Sequence, residues 1–168
     1  MIADEQLAEA VHDTLVRRLQ HAYADVVNRR AWPELEQLFV TDAPVIVDRR
    51  VGEPLHLVGG SAVGDFIAGA LARFEFFEFV ILNAHIAFPR GPQAGEASSR
   101  LFMCEVRQHR DSARMTTAFG LYHDRYRLDG DRWRFAERRY HSLARSGRDL
   151  EAFPFPRDPG IDVPGVPT

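Results

Sequence analysis

The sequence predicts an α+β domain in which a curved, mostly antiparallel sheet wraps around N-terminal helices as an open cone. Three observations carry this expectation. Apolar residues recur at helical spacing over residues 3–30 and again over 59–74. From Phe76 onward the period becomes that of strands. The stretch "LYHDRYRLDGDRWRFAERRYH", Leu121 to His141, alternates bulky and charged side chains on both sides of an Asp-Gly pair. Helices that precede a run of antiparallel strands pack together on one face of the sheet. Long strands twist, so the sheet curls and leaves a hollow at its open end.

Each element follows from a local pattern. Leu7, Val11, Leu15, Leu19, Tyr23 and Val27 recur every fourth residue, and Val16, Ala22 and Val26 widen the stripe, so residues 3–30 read as one amphipathic helix. "AWPELEQLF" is a second, short helix: Pro33 suits a first-turn position, and Leu35, Leu38 and Phe39 share a face. "APVIVDRR" and "LHLVG" are short strands joined through Gly52 and Pro54. In "GGSAVGDFIAGALARF" Ser61 is the expected N-cap, and Val63, Phe66, Ile67, Ala70, Leu71 and Phe74 form the buried stripe.

Four long strands come next: "FEFVILNAHIAF", "ASSRLFMCEVRQHR", "RMTTAFGLYHDRYRL" and "RWRFAERRYHSL". The first two are separated by the Gly/Pro loop "PRGPQAGE". Asp129-Gly130 predicts a type I′ hairpin turn, which needs positive φ at its central residues. The domain is expected to span 1–150. Residues 151–168 are a Pro-rich extended tail, because proline donates no ladder hydrogen bond; it is expected to fray or to lie along a partner subunit.

Composition narrows the function classes. With 21 Lys and Arg against 24 Asp and Glu the net charge is −3, and the arginines are scattered among acids, so neither nucleic acid nor an anionic membrane is an expected partner. The lone cysteine, Cys104, excludes an internal disulfide, fits a reducing cytoplasm and reads as a buried inert thiol. The N-terminus has no signal-peptide pattern, and no apolar run approaches the roughly 18 residues of a membrane span, so a soluble cytoplasmic protein is expected. There is no His-x-His, His-Glu-x-x-His or Cys-x-x-Cys spacing, no phosphate loop and no Gly-x-Ser-x-Gly elbow. No metal or cofactor is expected.

"LQHAYADVVNRRAWPELEQLFVTDAPVIV" followed by "GLYHDRYRLDGDRWRFAERRY" resembles the SnoaL-like branch of the nuclear transport factor 2-like superfamily. Polyketide cyclases, scytalone dehydratase, ketosteroid isomerase and the β subunits of aromatic-ring-hydroxylating dioxygenases belong to the wider group. The resemblance implies a cone-shaped fold with a hydrophobic pocket for a small oxygenated molecule. It implies either a cofactor-independent lyase or isomerase, or a non-catalytic binder or structural subunit. It also implies a homodimer or higher homo-oligomer through the outer sheet face.

Period-2 geometry puts Gly120, Tyr122, Asp124, Tyr126 and Leu128 on one face and Leu121, His123, Arg125 and Arg127 on the other. By analogy with the dehydratase, the Gly120/Tyr122 face and the Arg138/Tyr140 face line the cavity. Trp133 and Phe135 would lie outside, in an interface rimmed by Arg125, Glu137 and Arg139. That enzyme uses tyrosines, histidines and an orienting aspartate. In this chain the helix tyrosine and aspartate fall on Val27 and Asn28, a pocket tryptophan on Tyr23, the first histidine near Phe79, and the second on His109. A dehydratase mechanism of that type is therefore not expected.

The expected bases are His109 and Asp48, the latter at the end of "VIVD" where it could reach the cavity. The expected ligand contacts are Tyr23, Val27, Asn28, Phe79, Tyr122, Arg138 and Tyr140. Tyr122 and Tyr140 either donate to an enolate or bond to neighbouring groups. Arg138, if inward, either favours a carboxylate or phenolate ligand or pairs with Asp124 or Glu105. Asp25 is expected to face solvent, and His85 and His123 to serve packing or an interface.

Overall fold

The computed structural model describes residues 3–50, 52–147 and 149–156. Helix α1 runs Asp4–Arg29, and a 3₁₀-helix follows at Trp32–Leu38. Strands β1 (Pro44–Asp48) and β2 (Leu55–Val58) lead into helix α2 (Gly59–Leu71). The long strands are β3 (Phe74–Ala87), β4 (Glu96–His109), β5 (Met115–Asp129) and β6 (Arg132–Ser146), and β7 (Leu150–Ala152) closes the described chain. The sheet order is β2-β1-β6-β5-β4-β3, with β7 pairing the end of β6. Every strand pair is antiparallel except β1 with β6. The expected α+β class and curved sheet are what the chain adopts.

Helix α1 lies on the concave face. Val16, Leu19, Tyr23, Val26 and Val27 are buried there, but Leu7 and Val11, expected in the same stripe, stay exposed on the N-terminal half of α1. Tyr23 meets Phe39, Phe79, Tyr122 and Phe135 edge-on, at centroid distances of 5.7–6.4 Å, and Phe39 stacks on Phe135 at 4.9 Å. Burying each such side chain contributes about 1.5–3 kcal/mol. Helix α2 begins at Gly59, two residues before Ser61, and has no side-chain cap. The reason is close backbone approach: a Cβ on Gly60 would stand 2.3 Å from the carbonyl oxygen of Leu35, so the chain turns where only glycine fits.

Two bulges in β6 overturn part of the face assignment. Arg125 pairs with Glu137 but Tyr126 with Phe135, which leaves Ala136 as an extra residue. Phe119 pairs with Ala144 but Gly120 with Ser142, which leaves Leu143 extra. Each bulge reverses which parity points inward. Trp133 and Phe135 therefore join Arg138 and Tyr140 on the concave side rather than forming an outer interface; Phe135 is fully buried, and the Trp133 indole N–H donates to His12 Nδ1 at 3.2 Å. Glu137 and Arg139 stay outside, ion-paired to one another. His123 is buried on that outer face, with its ring 5.2 Å from His141.

The hairpin turn also differs from expectation. Asp129 pairs with Arg132, so Gly130 and Asp131 are the central residues, and of these only Gly130 has positive φ, 64°. That is the pattern of a type II′ turn, with glycine first. The boundary expected at 150 falls within β7, and the backbone N–H of Phe153 donates to the Leu143 carbonyl. The tail beyond residue 156 lies outside the described residues. No helix among the described residues is long and apolar enough to cross a membrane.

Strand β3 is an edge, and side chains of the first helix and its end cap it. Asn28 Nδ2 donates to the Phe79 carbonyl at 3.0 Å while the Phe79 N–H donates to Asn28 Oδ1 at 2.7 Å. Arg17 donates to the carbonyl of Ala84 and Arg30 to that of Phe74. Replacing Asn28 with Ala breaks both Phe79 bonds. It should lower the unfolding free energy by about 1–3 kcal/mol, read as a reduced urea midpoint by circular dichroism.

Candidate functional site

A cavity of about 510 Å³ opens between α1, α2 and the concave sheet face. Its walls follow from the periodicities already described. The α2 stripe contributes Val63, Phe66, Ile67 and Ala70; β1 contributes Val45 and Val47, and Arg49 follows its end; β3 contributes Phe74, Phe77 and Phe79. Tyr23, Tyr122, Arg138 and Tyr140 lie deeper, and Glu105, Arg107, Arg73 and Arg145 complete the lining.

The floor rests on a buried polar network. Arg138 Nε and Nη2 donate to Asp124 Oδ1 and Oδ2 at 2.8 and 3.0 Å, with side-chain exposures of 1% and 0%. Tyr126 Oη donates to Asp124 Oδ2 at 3.1 Å. Gln20 Nε2 donates to Tyr126 Oη at 2.8 Å and to Ser99 Oγ at 3.2 Å, and those two hydroxyls lie 2.8 Å apart. One chain of bonds thus joins α1, β4, β5 and β6. Arg138 is paired with Asp124, not with Glu105. Its Cζ lies 4.1, 3.9 and 4.3 Å from the ring centroids of Tyr23, Tyr122 and Phe135, and its third nitrogen, Nη1, is buried with no hydrogen-bond partner. Burial disfavours the charge, but Asp124, Tyr23 and Tyr122 hold the guanidinium above its ordinary pKa. It is a permanent cation beneath the aromatic floor.

Glu105 is the carboxylate in the cavity lining. Period 2 along β4 turns Leu101, Met103, Glu105 and Arg107 to the concave face, opposite Tyr122, Gly120, Ala118 and Thr116 of β5. Arg107 Nε donates to Glu105 Oε2 at 2.9 Å, and Nη2 contacts the same oxygen. The Glu105 charge reaches Tyr23, Tyr122 and Tyr140, raising the pKa of each. Gly120 makes room for one of these phenols: a Cβ there would lie 2.3 Å from Tyr140 Cε2 and 2.8 Å from Met103 Sδ. The sequence signal for Glu105 was the alternation of "LFMCEVR", which points the glutamate inward and Cys104 outward; Cys104 is buried as expected.

The structure brings Tyr23, Val27, Phe79, Tyr122, Arg138 and Tyr140 into one cavity. It leaves three expected residues out of the lining. Asn28 is committed to the Phe79 backbone. Asp48 follows Val47, which faces the cavity, and so turns to the opposite face, where it accepts from the Arg50 N–H and lies 3.7 Å from His141. His109 sits at the strand end with its ring edge-on to Phe74 at 4.8 Å. Asp25 pairs with Arg29 on the exposed side of α1.

These features define a cone-shaped α+β fold around a lined pocket. Residues 9–139 match the SnoaL-like domain family, and the chain belongs to it. No curated protein sequence matches. Three solved structures illustrate the likeness. The provisionally named scytalone dehydratase of Novosphingobium aromaticivorans is 19% identical over 86% of this chain and 93% of its own, with a TM-score of 0.72. Hexachlorocyclohexane dehydrochlorinase LinA-type3 of Novosphingobium barchaimii is 14% identical over 96% and 99%, TM-score 0.69. The β subunit of a provisionally named aromatic-ring-hydroxylating dioxygenase, also of N. aromaticivorans, is 20% identical over 80% and 90%, TM-score 0.62. At these identities the likeness is one of fold.

Burial pushes all four tyrosines of the chain above their ordinary pKa of 10.0; Glu105 adds to this at Tyr140, while Arg138 opposes it at Tyr23, Tyr122 and Tyr126 without cancelling it. The folded state therefore keeps its phenol protons after the unfolded chain has released them. Stability should be full below pH 10 and fall as pH rises beyond it. Ultraviolet titration should register tyrosinate only above pH 10, together with a falling urea midpoint.

Proposed function

We propose that the chain is a cofactor-independent lyase or isomerase that removes a proton from carbon in a small, flat, hydrophobic, oxygenated ligand. The observation that carries this reading is one carboxylate, Glu105, facing three protonated phenols across a largely apolar cavity. Glu105 acts as the base, and Arg107 orients its carboxylate. Tyr122 and Tyr140 donate hydrogen bonds to the oxygen that gains negative charge when the proton leaves. Tyr23 backs Tyr122. Arg138, under the faces of Tyr23 and Tyr122, lowers the cost of that charge from below the floor. Dehydration, isomerisation and aldol-type cyclisation share this first step. The dehydratase and dehydrochlorinase names of two similar structures agree with an elimination. The lining holds Val27 and Phe79 where the dehydratase pattern would place a tyrosine and a histidine, so the base is different. His109 and Asp48 are replaced as candidate bases because neither lines the cavity. Homo-oligomerisation in the cytoplasm belongs to the same proposal, through the outer face that carries Arg125, Glu137 and Arg139.

The test is exchange of the acidic carbon protons of β-tetralone in heavy water, followed by proton magnetic resonance. Glu105→Gln should slow exchange by about 10²–10⁴-fold while calorimetric binding of the ketone persists. Binding without exchange in the unmodified protein would instead favour the non-catalytic subunit reading.

A further inference from the structure

The charge of the cavity lining runs against the charge of the chain. The whole sequence carries −3, yet five arginines line this one hollow and, among the described residues, the only carboxylate beside them is Glu105. Glu105 neutralises Arg107, and Asp124 neutralises Arg138 from behind the floor. Among the described residues Arg49, Arg73 and Arg145 are left without a carboxylate.

Their positions are informative. Arg145 donates through Nε to Ser142 Oγ and through Nη2 to the carbonyl oxygen of Arg49, so these two stand together on the β1/β6 side of the mouth. Arg73 and Arg107 face them from the α2/β3/β4 side, with Cζ atoms 4.9 and 5.5 Å from the Phe74 ring centroid. Glu151 is paired across the sheet with Arg145 but makes no ion pair with it among the described residues. Among the described residues the Arg49 guanidinium has no hydrogen-bond or ion-pair partner, and that of Arg73 has only the Phe74 ring. Elsewhere Arg29, Arg110 and Arg139 are each met by an acid, whereas here three arginines gather at one opening. Below this mouth the lining is apolar and aromatic, ending on a buried guanidinium whose Nη1 is unpartnered.

Resting on the reading of the cavity as a ligand site, we infer that the ligand is an organic acid: a flat apolar body seated over Tyr23, Tyr122 and Phe79, with a carboxylate held at the mouth by Arg49, Arg73 and Arg145. A guanidinium meets a planar carboxylate with two parallel hydrogen bonds, and pairs on opposite walls fix its position. The C-terminal end of α2, whose Gly69, Ala70 and Leu71 line the cavity, opposes any anion held there and opposes a phosphate dianion more strongly than a carboxylate monoanion, so the carboxylate is the better fit. The neutral Glu105–Arg107 pair leaves the base free to act on the body of the ligand.

The test compares β-naphthoate, β-naphthamide and β-naphthyl phosphate by isothermal calorimetry. The acid should bind about tenfold more tightly than the amide, and at least as tightly as the phosphate. The preference should collapse in Arg49→Gln/Arg73→Gln, two exposed substitutions on opposite walls. It should survive in Arg127→Gln/Arg132→Gln, the same charge change at the far end of the β5–β6 hairpin. Equal or tighter binding of the amide would overturn the carboxylate while leaving the cavity reading intact. Tighter binding of the phosphate would overturn it in favour of a dianion. Failure of all three probes to bind would overturn both.

Discussion

The Asp124–Arg138 pair is the constraint on which the site depends. Two opposite charges sit in a nearly dry interior, where removing them from water costs several kcal/mol per ion before their attraction offsets it. The arrangement holds because both bonds of the fork are made and because Tyr126, Ser99 and Gln20 complete the carboxylate's surroundings. Removing either charge would leave the other buried and uncompensated, which is worse than an apolar core. The network therefore demands one register of β5 against β6 and one rotation of α1, and those two conditions place Tyr23 and Tyr122 over the guanidinium. Stability and site geometry are set by the same bonds.

Above that floor the proposed chemistry departs from the dehydratase pattern. Positions that would supply a tyrosine and a histidine hold Val27 and Phe79, both in the cavity wall. In the proposed reading the ionisable group is Glu105 of β4, in register with Ala118 of β5 and Arg145 of β6. A cone whose inner wall is contributed by most of its strands can relocate a base without changing its shape, which is how one fold comes to serve different reactions.

Much of this was legible because it rests on period alone. The alternation through β5 placed Gly120, Tyr122, Asp124 and Tyr126 on the concave side, and the spacing in α2 placed Phe66, Ile67 and Ala70 there too. Strand β6 was harder. Ala136 and Leu143 each slip the parity by one, and a bulge depends on the partner strand and on curvature rather than on its own residues, so Trp133 and Phe135 read as outward when they are core. Glu105 obeyed the alternation, yet a charged residue in an apolar run draws no attention until its opposite wall is known. Asp48 turns away because it follows inward-facing Val47, whereas His109 keeps the concave parity of β4 but lies at the strand end, where its ring packs on Phe74 outside the lining. Leu7 and Val11 continue the helix stripe past the point where there is sheet to cover it.

The capping of β3 has a consequence for how copies of this chain can meet. A fourteen-residue edge strand offers a template on which a neighbouring chain could add itself and propagate into fibres. Here Asn28 takes both hydrogen-bonding groups of Phe79, Arg17 and Arg30 take carbonyls toward either end, and the extra residue Leu82 breaks the ladder between them. The opposite edge, β2, is only four residues long. Among the described residues, zippering strand to strand is obstructed along one border and limited to a brief stretch on the other.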